Sequence, residues 1–82
     1  MKKKTEHPLV LVQWRDITGA DVAWVEKATA AQLKPAVMTS VGLVLEDNED
    51  RLVLASTWEN DADSFSEVFV LPRAVVISIK TL

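Results

Sequence analysis

Two short constellations in this chain carry groups able to hold a ligand. Trp14-Arg15-Asp16 sets an indole beside a guanidinium, and Ser56-Thr57-Trp58 sets two hydroxyls beside a second indole. An indole offers a flat face to a base or a partner ring, and an arginine fork matches phosphate or carboxylate with two parallel hydrogen bonds. Arg73 follows Pro72, whose fixed φ stiffens the backbone that carries it. Thr39 and Ser40 add two further hydroxyls. The candidate ligand-binding set is therefore Trp14, Arg15, Thr39, Ser40, Ser56, Thr57, Trp58 and Arg73. Each has a plainer role beside it: the tryptophans as core, the arginines as surface partners of nearby carboxylates.

Catalytic chemistry finds little support. The chain has no cysteine, and its one histidine, His7, stands in a polar leader beside Pro8, where an exposed tail residue is expected. A nucleophile without a positioned base is inert, so no enzymatic activity and no catalytic residue is expected. Asp47, Glu49 and Asp50, or Asp61 and Asp63, supply oxygen ligands in principle, but neither stretch has the mid-loop glycine and terminal glutamate of a calcium loop. Solvated hairpin turns explain them better, and no metal or other cofactor is expected. Gly19 and Gly42 stand far apart and form no phosphate-cradling fingerprint.

The elements that must position these groups are mostly strands. Leu9 to Trp14 is apolar on both faces. Ala36 to Glu46 alternates, with Val37, Thr39, Val41, Leu43 and Leu45 on one face and Met38, Ser40, Gly42, Val44 and Glu46 on the other. Gly42 inside it marks a bend or a close backbone approach. Arg51 to Trp58 follows after a short acidic loop, as the second arm of a hairpin. Glu67 to Leu71 and Val75 to Leu82 are two more strands, joined at Pro72-Arg73-Ala74 by a step the length of one 3₁₀ turn. Between the first two strands, Val22 to Leu33 has Trp24, Ala28 and Ala31 at helical spacing. This predicts a helix of about three turns, capped by Thr18 or Asp21, ended at Lys34-Pro35, with Trp24 packed against the sheet.

The order predicts a mostly β fold, a five-stranded SH3-like or Sm-like barrel with a helix between strands one and two. The alternative is an open α+β sheet with the helix across one face. Eighty-two residues make one domain, residues 8–82, behind a flexible leader, residues 1–7. With no thiols, stability must come from packing, and oligomerisation is the remaining way to bury more surface. No apolar run approaches the length of a membrane span, and no secretory leader is recognisable, which predicts a cytoplasmic protein. Of the twelve acidic residues, seven lie in the two acidic stretches. A local basic pocket is compatible with the net charge of −3, whereas a broad nucleic-acid face is not.

Trp14-Arg15-Asp16-Ile17, Trp24, Ser40-Val41-Gly42 and Leu71-Pro72-Arg73 together resemble a group of small phage-encoded proteins of uncharacterised function. The resemblance implies a viral accessory protein in a bacterial host and supplies no catalytic residues. Some phage proteins of this size are oligomeric sponges for the nucleotide signals of bacterial defence, which suggests the same lifestyle here. The expected function is a homo-oligomeric binding module that sequesters a small anionic ligand. The alternatives are a module that binds a host or viral protein and, less favoured by the acidic balance, Sm-like RNA binding.

Overall fold

The computed structural model describes residues 7–20, 22–61 and 63–82. Five strands run in chain order: β1 (Leu9–Asp16), β2 (Ala36–Asp47), β3 (Arg51–Glu59), β4 (Ser64–Pro72) and β5 (Val76–Thr81). All neighbours are antiparallel, in the order β4-β3-β2-β1-β5. A 3₁₀ turn, Arg73–Val75, joins β4 to β5 at the Pro72 corner, where the sequence predicts it.

The sheet is open. Its edges are β4 and β5, and among the described residues no pairing closes one onto the other. Its inner face is nevertheless one core. Val10 and Val12 of β1 cluster with Leu52 and Leu54 of β3 and Leu71 of β4, and Val76 and Ile79 of β5 pack against them. Side chains from both edges thus meet over the middle of the sheet, so the sheet curls. The 3₁₀ turn touches both β1 and β3.

Strand β2 has two neighbours in succession. From Ala36 to Leu43 it pairs with β1, and from Leu43 to Asp47 with β3. Gly42 lies at the change of partner, where a β-carbon would meet the Ala55 carbonyl oxygen at 3.0 Å. Only a residue without a side chain lets the two backbones approach so closely. A bulge between Val44 and Glu46 shifts the register beyond it.

The turn from β2 to β3 is organised by Asn48. Its Oδ1 accepts from the Asp50 and Arg51 amides at 2.8 and 2.9 Å, and its own amide donates to the Arg51 carbonyl at 3.1 Å. This is the local side-chain mimicry that makes asparagine a turn residue.

The predicted long helix is not formed. One turn, α1 (Lys27–Ala30), is helical, with Glu26 at its N-cap, no side-chain cap and no buried residue. Thr18 lies in an exposed loop, and Asp21 lies outside the described residues. Trp24, expected against the sheet, is 91% exposed. The cause is position. On β1, pairing with β5 stops at Trp14, and on β2, pairing with β3 stops at Leu43, so the connection leaves from the far end of a two-stranded hairpin. The core is out of reach there, and a short helix with no face to bury is marginal.

Residues 1–6 of the expected leader lie outside the described residues, but His7 is seated. Its Nδ1 is 3.2 Å from the Val44 carbonyl oxygen, and its ring meets those of Trp58 and Phe65 edge-on. The exposed tail expected for His7 gives way to a half-buried ring. The adjoining Pro8 carbonyl accepts from the Val44 amide at 2.9 Å, which holds the chain in place.

No helix among the described residues is long and apolar enough to cross a membrane.

Candidate anion-binding face of the sheet

Pairing decides which side chains share a face, because directly opposed residues of antiparallel strands point the same way. On the inner face, Trp14 packs against the core and its Nε1 donates to Ser40 Oγ at 3.0 Å. Arg15 and Thr39, their neighbours in sequence, therefore point to the outer face. The sequence places Trp14, Arg15, Thr39 and Ser40 in one candidate set, and the sheet divides them in two.

The remaining candidates lie apart from both groups. Ser56 and Thr57 are exposed on β3, with Thr57 opposite Ser66 of β4. Trp58 is half-buried and stacks on Phe65 at 6.1 Å between centroids, with the ring planes 20° apart. Both indoles of the candidate set are thus engaged within the chain. Arg73 is hydrogen bonded through its guanidinium to the Asp47 carboxylate, and its amide donates to the Asp50 carbonyl at 2.9 Å. It ties the Pro72 corner to the β2–β3 turn, as the plainer reading of that arginine expects.

What the outer face gathers is different. Three cross-strand rows lie on it, one over β2 and β1 and two over β2, β1 and β5. The first is Val37 and Arg15; the second is Thr39, Gln13 and Ser78; the third is Val41, Leu11 and Lys80. Rows on one face are about 7 Å apart, so Arg15 and Lys80 stand in rows about 14 Å apart with the polar row midway. Ser78 Oγ donates to Gln13 Oε1 at 3.5 Å, a long bond that leaves both groups available to a ligand. No carboxylate occurs in these rows, although the chain is acidic overall.

Such a face can accept anionic groups at its two cations and hydrogen-bond a polar centre between them. Of the eight sequence candidates, Arg15 and Thr39 belong to it. Gln13, Ser78 and Lys80 are added by pairing alone. Alternation groups Gln13 with Arg15, but nothing local in the sequence brings the last strand beside the first.

Among the described residues, no three His, Asp or Glu side chains gather as a metal site. Compared with protein-family models, curated proteins and solved structures, the chain matches none.

Proposed function

We propose that this chain is a non-enzymatic accessory protein of phage origin, acting as a homo-oligomer that sequesters a small anionic ligand of the nucleotide-signal class. The observation that supports it is the outer strip Arg15, Gln13, Thr39, Ser78 and Lys80, free of carboxylates on a protein of net charge −3. Two cations flanking a row of hydroxyl and amide groups suit a ligand with separated phosphates and polar base edges between them. Neither Trp14 nor Trp58 is needed as a stacking platform in this reading. Exposed Leu9, Val37 and Val41 border the strip and offer apolar contact to a base instead.

Calorimetric titration with a panel of cyclic oligonucleotides tests the reading. At least one member gives heat with the native chain, and Arg15→Ala or Lys80→Ala weakens it by about tenfold or more, as loss of a charged hydrogen-bond partner does. No heat from any member at high protein concentration counts against it.

A second reading, docking on a host or viral protein, draws on Trp24, the most exposed of the three tryptophans. Affinity capture from host lysate, lost on Trp24→Ala with ligand binding intact, favours it.

A further inference from the structure

We infer that two copies of this chain associate through the open edge of β2, residues 36–42, pairing antiparallel across a two-fold axis. This edge has β1 on one side and, among the described residues, no strand on the other, because β3 joins β2 only at Leu43. Sheet edges are ordinarily protected by charges, prolines or bulges. Ala36-Val37-Met38-Thr39-Ser40-Val41-Gly42 has none of the three within it. Its unpaired backbone groups face outward from a strand whose Val37, Met38 and Val41 are also exposed.

The occupant is identified by three features. An antiparallel strand pair is self-complementary about a two-fold axis, so β2 supplies its own partner in register. The segment from Ile17 to Gly42 carries Asp21 and Glu26 against Lys27 and Lys34, and is therefore neutral on an acidic chain. Two copies meet there without the like-charge cost that their acidic loops impose elsewhere. The third feature is area. Ile17, Val22, Trp24, Leu33, Val37, Met38 and Val41 are all exposed, the first and third at 91%. Pairing along the edge brings Val37, Met38 and Val41 of the two copies beside one another and takes apolar surface out of water on both faces of the joined sheet.

Pairing about an axis perpendicular to the sheet leaves the outer face outer. With the axis at Thr39, the Thr39-Gln13-Ser78 row of one copy continues into that of the other, and Arg15 and Lys80 from both copies flank one doubled strip. This rests on the reading of the outer face as the anion site, but the pairing itself is measured without any ligand.

The chain has no cysteine, which makes a cross-linking scan unambiguous. Single cysteines are placed at each position from Val37 to Val41, with Thr57→Cys as a control on exposed β3. Under mild oxidation, one position of the five forms a covalent dimer in high yield, because opposed residues of a strand pair have the separation a disulfide requires. Thr57→Cys does not. Native mass spectrometry of the unaltered chain gives an even multiple of 9.1 kDa. The Val37→Lys/Val41→Lys double variant, altered only at exposed positions, keeps its β circular-dichroism signal and halves that mass. A single-chain mass for the native protein overturns the inference. An oligomer in which no scan position cross-links and the lysine variant keeps its mass also overturns it, and leaves the homo-oligomeric reading standing with a different interface. Absence of ligand heat from a native chain that does dimerise sinks the anion-site reading alone.

Discussion

Gly42 lies so close to Ala55 that a β-carbon on residue 42 would stand 3.0 Å from the Ala55 carbonyl oxygen and 3.2 Å from Leu54 Cβ. Both obstacles belong to β3, and Leu54 and Ala55 are fully buried. The glycine therefore fixes where β2 stops following β1 and begins to follow β3.

Gly42→Ala is expected to destabilise the fold by about 1–3 kcal/mol, the usual cost of forcing an atom into packed surroundings. Gly19→Ala is the contrast. Nothing lies within 4 Å of a β-carbon there and its φ is not positive, so it is expected to gain about 0.4–1 kcal/mol through the unfolded chain. Urea midpoints of the two variants and the native chain give both signs in one experiment.

The bond from Trp14 Nε1 to Ser40 Oγ joins β1 to β2 at the margin of the core. Trp14→Phe and Ser40→Ala each remove it and are expected to lose about 0.5–1.5 kcal/mol on that account, beyond any packing change at residue 14. The double variant loses less than the sum, and a double-mutant cycle by chemical denaturation reads the coupling. Full additivity would show that the bond contributes nothing.

Asn48→Ala strips the β2–β3 turn of the acceptor shared by the Asp50 and Arg51 amides. A loss of about 1–2 kcal/mol is expected from two exposed hydrogen bonds. Asn48→Asp retains the acceptor and recovers most of it, and thermal melts rank the three proteins.

Glu67 has a φ of 55° within β4, in the left-handed region that side chains disfavour. Relieving it should help. Glu67→Gly is expected to leave stability unchanged or raise it by about 1 kcal/mol, whereas Glu67→Val lowers it, because a β-branched residue tolerates that conformation least. Equal melting temperatures for these two variants would contradict the account.

Arg73→Ala breaks the pair with Asp47, whose side chains are 36% and 44% exposed. Solvent screens such a pair, so less than about 1 kcal/mol is expected to be lost, and less still at high salt. Denaturation at two ionic strengths checks both statements.

The strands were legible because alternation survives in them. The alternation of Val37 and Thr39 with Met38 and Ser40 matches the faces that pairing gives them, and proline chemistry at Pro72 announces the 3₁₀ step. The helix misled because helical spacing at Trp24, Ala28 and Ala31 says which face is apolar and not whether a core lies within reach. His7 was obscure for a related reason. Its seat is made by Val44, Trp58 and Phe65, all distant in sequence. The outer strip was half visible, since Arg15 and Thr39 stood out by type, while Gln13, Ser78 and Lys80 acquire meaning only from strand order.

That strand order also governs how the protein is made. Val12 pairs with Ile79 on one side and Ser40 on the other, so β1 obtains one neighbour early and the second only after most of the chain has followed. On a ribosome, the first strand waits with a bare edge until the fifth emerges. Topologies dominated by such distant pairings fold slowly. A nascent chain halted before Val76 would accordingly carry the β1–β2–β3–β4 meander with part of its core uncovered, a natural target for holding chaperones.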